Sequence, residues 1–369
     1  MKKYLLFIWL MVFVSLVVNA QEKKQRVRLE WAANANFFFD NQEFDGLKLR
    51  TAQSDLGLHL APEIGMTMDT IHHFRVGVDL EAGLGGHEFL KRASLIAYYK
   101  LDYAPFRCYV GSFPRRYVIN YPQALIEDSI NFHRPNMSGV FIEYYRQKGF
   151  INVWLDWVSL PTKTQRELFF IGFSGRYQYK MFVTDLYGYM YHKAHRFHQP
   201  HLESLHDNGM SLLSAGMDFT HKTPLDTLSL TVGWLQAYER CRDEHKWHFP
   251  VGVTADFNIR YSGLGVKNFF YYGDKQQIFY DRLGTILYWG DHLYSSNLYN
   301  RTDIYLDFVS STYVNARLTC ALHVVDGKLY NQQLFTVYVN LDQDFAHKKS
   351  KPHFFWQNWF RKTKKQTEI

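Results

Sequence analysis

The sequence predicts an all-β fold, a transmembrane antiparallel up-and-down β-barrel of about 16 strands, with roughly 14 to 18 inside the range the pattern allows. Three observations predict it: an N-terminal secretory segment, period-two hydropathy along most of the chain, and connections that alternate between short and long. Met1 to Ala20 carries a basic start at Lys2 and Lys3, an apolar run from Leu5 to Val18, and the small-residue end Val18-Asn19-Ala20 before Gln21. That is the three-part pattern of a cleaved secretory signal, and its apolar run is short for a spanning helix. No Cys follows the cleavage position, so a lipid anchor is not expected.

Period-two alternation is the pattern of strands with one face in lipid and the other in an aqueous lumen. In His73 to Gly85 the residues Phe74, Val76, Val78, Leu80, Ala82 and Leu84 alternate with Arg75, Gly77, Asp79, Glu81 and Gly83. A helix would scramble that separation. The same phase returns in Val251 to Tyr261 and in Val314 to Val324. Candidate strands lie near 26–38, 57–69, 73–85, 92–103, 106–114, 138–147, 150–158, 167–179, 181–192, 209–221, 227–239, 247–261, 264–274, 301–310, 313–325 and 330–342.

Bacterial barrels have short periplasmic turns and longer external loops. From a periplasmic N-terminus, the even connections at Asp69-Thr70, Ala104-Pro105, Gln147 to Gly149, Lys180, Lys222 to Pro224, Ser262-Gly263 and Ser311-Thr312 are all short. The odd ones include 39–56, 115–137, 193–208 and 275–300, which are long. A soluble sandwich gives no reason for that alternation. The aromatic content is high, 18% of the chain with 30 Phe and 26 Tyr, as expected where rings line both membrane interfaces.

The net charge of +7 raises the question of nucleic acid, so its distribution matters. Without the signal there are 40 basic and 35 acidic residues, and the tail from Ala346 to Ile369 holds seven of the basic ones and only Glu368. The body is therefore close to neutral, which excludes the basic folded face that nucleic acid needs. Three Cys, at 108, 241 and 320, are an odd number for an oxidising compartment; Cys108 and Cys320 fall on the apolar phase and read as small lipid-facing side chains. The organisation is a signal at 1–20, one barrel domain at 21–345 and a basic aromatic periplasmic tail at 346–369.

Together these features resemble the Gram-negative outer-membrane porins, with a last strand ending in an aromatic, Leu334 to Phe345. The resemblance is architectural and spans almost the whole mature chain. It implies an outer-membrane location, lipid around the wall, a homo-oligomer as one assembly open to it, and a porin-like channel for passive passage of small polar solutes. The chain departs from porins after Phe345, where 24 more residues follow; that tail suits a periplasmic partner. The resemblance also implies that the third external connection folds inward, so that Arg115, Arg116, Glu127, Asp128, His133 and Arg134 line a constriction with opposite charges facing across the water path. The alternative is an external loop whose charges are solvated.

On the polar phase of the wall lie Arg75, Asp79, Glu81, Arg176, Asp256, Asn258, Arg260 and Arg317. They form either a solute track or the polar lining that any wet lumen needs. His192, His195, His198 and His201 recur every third residue and are a weak metal candidate, since imidazole binds zinc, copper and nickel; Pro200 works against the helix that would stack them. No metal or other cofactor is expected. Ser174, in Gly172-Phe173-Ser174-Gly175, is the nearest Gly-flanked Ser, but it lies inside a strand pattern rather than at an elbow. His292 beside Asp291 is too common a pair to count, and no phosphate loop or zinc-protease helix is present. The expectation is that the chain is not an enzyme. Two alternatives to the channel stay open: a non-conducting barrel that binds at the surface or serves structurally, and an outer-membrane hydrolase without a nominated residue.

Overall fold

The computed structural model describes residues 27–85, 89–196, 205–220, 222–342 and 353–354. The signal, Phe345, most of the tail and the pair His198 and His201 lie outside them. The wall runs β1 (Arg28–Glu43), β2 (Gln53–Met68), β3 (His72–Gly83), β4 (Leu90–Tyr103), β5 (Phe106–Pro114), β6 (Asn136–Arg146), β7 (Gly149–Ser159) and β8 (Arg166–Tyr179). It continues through β9 (Phe182–Arg196), β10 (His206–Asp218), β11 (Thr227–Cys241), β12 (Val251–Tyr261), β13 (Leu264–Gly273), β14 (Leu298–Ser310), β15 (Val314–Val325) and β16 (Lys328–Asp342). Each strand pairs antiparallel with the next, and β1 pairs with β16 from Ala32↔Asp342 to Glu43↔Asn331, which closes the ring. The sixteen expected segments are the sixteen strands.

Their ends differ from expectation where the physics changes. β1 continues five residues past Phe38: burial still alternates as far as Glu43, but Asp40 to Glu43 are polar on both faces, so hydropathy no longer marks the strand there. The expected segment 247–261 is interrupted: Lys246–His248 pairs with β11, and β12 restarts at Val251, after Pro250, which has no N–H for the ladder. His353–Phe354 adds two residue pairs beside Val309 and Ser310 of β14.

The outer surface is the one lipid requires. Ile64, Val76, Ile151, Val153, Leu230 and Val232 are exposed in the band, with Tyr103, Phe106, Tyr179 and Phe182 near the short turns and Trp234, Trp247, Phe249 and Tyr272 toward the other rim. Among the tight turns, Ser262 and Gly263 both have positive φ (50° and 88°), a geometry that glycine adopts without strain.

The lumen is filled rather than lined. The segment between β5 and β6 turns inward through Arg115–Tyr117 and a short helix, Asp128–His133, and buries Ile119, Tyr121, Leu125, Ile126, Ile130 and Phe132. The segment between β13 and β14 also turns inward, burying Leu287, Tyr288, Trp289, Leu293 and Tyr294. Wall aromatics such as Phe113, Phe141, Trp154, Phe170 and Tyr271 complete one hydrophobic core with them.

Candidate active site

The two inward segments interlock by backbone. Glu127 N–H donates to the Trp289 carbonyl at 2.8 Å, and Asp291 N–H donates to the Gln123 carbonyl at 2.8 Å. A Cβ on Gly290 would lie 2.1 Å from the Ala124 carbonyl oxygen, so only glycine allows this approach. Gly290→Val is expected to part the two segments, at a cost of about 1–3 kcal/mol from overpacking; faster amide exchange over 123–127 and 287–291 in the folded barrel is the readout.

The charged residues of the third external connection are paired outward and sideways. Arg115 donates from Nη2 to Asp156 Oδ2 at 2.9 Å, and Arg116 is exposed, its guanidinium over the Tyr117 ring. Glu127 accepts from Arg50 at 2.6 Å, and Asp128 accepts from Gln123 at 2.6 Å with Arg301 3.7 Å away. Arg134 lies over Trp289, as Arg115 also does. Their acids and bases are thus not set face to face across one water path; Arg115, His133 and Asp128 reach wall residues, Glu127 reaches Arg50 in the loop between β1 and β2, and Arg116 meets Tyr117 within its own segment.

His133 ends the short helix between two wall carboxylates, with Nε2 2.6 Å from Asp55 and Nδ1 3.0 Å from Glu81. The hydrogen bond to Asp55 raises the imidazole above its ordinary pKa; burial opposes it, and Glu81 adds to it. A raised folded pKa makes this clasp fully present below the unfolded histidine value and lost as pH rises through the raised one. Protection of amides 128–134, taken relative to their intrinsic base-catalysed exchange rates, is therefore expected to fall on going from mildly acidic to alkaline pH, and His133→Asn is expected to flatten that dependence.

Most of the wall candidates are used in pairs. Arg75 bridges Glu30 (3.3 Å) and Asp342 (2.9 Å), Arg176 bridges Asp185 (3.4 Å) and Asp218 (3.1 Å), and Arg260 and Arg317 share Asp307. Asn258 accepts from Tyr305 at 3.4 Å, Asp256 lies opposite Phe269 in the β12–β13 register, and Glu81 also meets Arg92 at 3.1 Å. Among the described residues no group of His, Cys, Asp or Glu is arranged to hold a metal ion; His192 pairs with Asp207 at 2.9 Å. Ser174 is buried against Asn152. Ser295 lies 2.9 Å from Nδ1 of His292, but its hydroxyl donates to the Gln276 carbonyl, and burial holds His292 down at about 4, stacked on Tyr280. No carboxylate is hydrogen-bonded to that ring among the described residues, so the pair lacks the third member that orients a base.

Asp79 has a partner that the sequence reading missed. His59 Nδ1 donates to Asp79 Oδ1 at 2.9 Å, with both side chains buried. The ring's other nitrogen, Nε2, is buried and has no partner, as are Asn36 Oδ1 and Arg115 Nη1. Those three residues are 4%, 5% and 2% exposed, and all three line one cavity of about 40 Å³. Unmatched polar atoms are costly inside a protein, and three of them around one small space mark a place built for a polar guest. The volume has room for a water molecule with the carbonyl end of an acyl group beside it. Chemically the set comprises a base fixed in one tautomer by a carboxylate, a guanidinium donor with a free N–H, and an amide acceptor. Tyr338, Asn34 and Asn131 share the lining.

Comparison with known proteins follows that geometry. The family model described as lipid A 3'-O-deacylase-type matches residues 20–350. No curated protein sequence matches the chain. Among solved structures, Pseudomonas aeruginosa OccK9 (OpdG) aligns with a TM-score of 0.52 at 10% identity, covering 86% of this chain and 98% of its own. P. aeruginosa OccK2 (OpdF) aligns at 0.51 and 11% identity, covering 85% and 98%. A Vibrio cholerae OmpT variant lacking loop L8 aligns at 0.50 and 6% identity, covering 86% and 100%. At such identities the likeness is one of fold, and it places the closed barrel among Gram-negative outer-membrane proteins, as expected from the porin resemblance. The family match overturns the expectation that the chain is not an enzyme. That expectation rested on finding no convincing Ser, His and Asp set on adjacent strand phases or at the rim; His59 was not among the residues weighed, and it meets Asp79 on the diagonal of the β2–β3 hairpin.

Proposed function

The chain belongs to the lipid A 3'-O-deacylase-type family, and on that footing we propose that it hydrolyses an acyl ester of a lipid A-type lipid in the outer membrane. The observation that carries this reading is His59, whose Nδ1 is held by Asp79 while Nε2 faces the small cavity unpartnered. Nε2 takes a proton from water, and the hydroxide oxygen attacks the ester carbonyl carbon. The free Nη1–H of Arg115 donates to the oxygen that becomes negative. The C–O bond to the sugar then breaks, and the His59 imidazolium returns the proton to the departing alkoxide. One water is consumed, and one fatty acid and one alcohol are formed. Asp79 keeps the ring in the tautomer that can accept, the role an orienting carboxylate has beside a catalytic imidazole.

The test is mass spectrometry of lipid A incubated with the refolded barrel. Loss of one acyl chain, with the matching fatty acid in the extract, is expected; an unchanged lipid after prolonged incubation would remove this reading. Passage of small polar solutes is a second reading, favoured by a vestibule of about 400 Å³ at the periplasmic end, lined by Arg75, Tyr98, Lys100, Arg116 and Asn340. Planar-bilayer recording separates the two. With both inward segments packed in the lumen a quiet trace is expected, and discrete steps at modest voltage would favour the channel.

A further inference from the structure

The barrel wall is incomplete on one side. β4 and β5 pair only from Ala97↔Ser112 to Tyr103↔Phe106, so the seven residues Leu90–Ile96 of β4 have no strand partner on that flank among the described residues. On the other flank, β6 and β7 pair only as far as Gly139↔Asp156, although β7 continues to Ser159. The hairpin between them stops at Pro114↔Asn136, where the chain turns into the lumen. The result is a gap between β4 and β7, with β5 and β6 as its sill.

A cleft of about 410 Å³ fills that gap. Its lining takes side chains from both faces of the wall: Ser94 and Asp156 belong to the inward phase, while Leu95, Ser112, Ser138 and Trp157 belong to the outward phase. Leu95 is 66% exposed beside the lipid-facing strip, and Val110, two residues below Ser112 on β5, is exposed in the same strip. The cleft therefore passes through the wall from the membrane side. Trp289 and Arg115 are the buried members of that lining, and the exposed Arg134 lies beside them. Arg134 has no acidic partner among the described residues, and its guanidinium lies 5.3 Å from the centroid of the Trp289 ring. A cation on an apolar floor suits a lipid with an anionic headgroup and acyl chains.

The register brings this opening level with the site. His59 pairs with Glu81, Glu81 with Arg92, and Asp79 with Ser94. Arg115 and Pro135 line both the cleft and the His59 cavity. We infer that the lipid enters sideways from the outer leaflet through the gap between β4 and β7, bringing its ester to Arg115 and its phosphate to Arg134. This route rests on the hydrolase reading for its chemistry, though not for its geometry. It removes the need to lift the acyl chains into water and over the rim, where their apolar surface would be exposed.

The test fills the gap from its outer face. Ser138→Trp is expected to cut fatty-acid release from lipid A in vesicles at least tenfold, while hydrolysis of water-soluble p-nitrophenyl butyrate stays within twofold and Ser138→Ala changes neither. Equal loss on both substrates, or no loss on either, overturns the side entrance. Photolabelling works whether or not the protein hydrolyses anything. Lipid A with a diazirine on an acyl chain, in vesicles, is expected to label Trp289 and Val158 in the unmodified barrel and to lose those labels in Ser138→Trp. Labels confined to outward residues such as Leu95 and Val110 would overturn the route by itself. Absence of fatty-acid release in the unmodified barrel, with Trp289 still labelled, would instead remove the hydrolase reading and leave a lipid site.

Discussion

Changing His59 to Gln is expected to lower acyl-ester hydrolysis by about a thousandfold, within the range a positioned general base contributes. The amide keeps the side chain near the size of imidazole and can still meet Asp79, so the β2–β3 wall has no reason to open. It cannot take a proton from water. Asp79→Asn is expected to cost hydrolysis as well, through the wrong tautomer rather than a lost base. Fatty-acid release per refolded barrel reads the loss, with the heat-modifiable shift of the folded barrel in gel electrophoresis unchanged in both variants. Full activity in His59→Gln would return the search to another base.

The second large effect is on stability. Arg115 is 2% exposed, and its Nη2 is 2.9 Å from Asp156, itself buried; Asp156 also accepts from Ser138 N–H at 2.9 Å. Removing the guanidinium alone leaves a buried carboxylate without its counter-charge, and Arg115→Ala is expected to destabilise the barrel by about 3–5 kcal/mol. Arg115→Met combined with Asp156→Asn removes both charges and is expected to recover most of that loss, since a buried ion pair adds little over a well-packed neutral pair. Hydrolysis should stay low in the double variant, because the free Nη1–H is gone. Urea unfolding in lipid vesicles gives the first quantity and fatty-acid release the second.

The wall was legible because lipid and water impose opposite demands on alternate residues, and sixteen strands repeat that demand. Turn chemistry carried the same information at Asp69-Thr70 and Ser262-Gly263. The His59–Asp79 pair could have been found the same way. A tight turn at 69–71 sets opposite each other residues whose numbers add to 140, such as Thr67 with His73 and His59 with Glu81, and that puts Asp79 on the diagonal from His59. Asp79 was picked out on polar phase; His59, in the looser pattern Leu58-His59-Leu60, was not.

The rest was hidden for a different reason. Arg115 meets Asp156 across 41 residues, and Arg50 meets Asp291 across 241. Neither pairing follows from periodicity, since both depend on the paths of two segments through the lumen. The inward turn of 115–137 was an expectation carried by resemblance, and that of 275–300 had only its length as a signal. The apolar residues Ile126, Ile130 and Leu287 belong to a core that an open pore would lack, and period-two reading says nothing about them.

The interlocked segments have a mechanical consequence. One departs from the hairpin β5–β6 and the other from β13–β14, eight strands round a ring of sixteen, so they start from opposite sides and meet in the middle. An empty barrel is a hoop, free to flatten into an ellipse under the lateral pressure of the bilayer. A tie across the diameter acts as a spoke and holds the cross-section round. The spacing between β1, β2 and the Arg115 turn is then fixed by the protein itself, whatever the thickness or tension of the surrounding membrane.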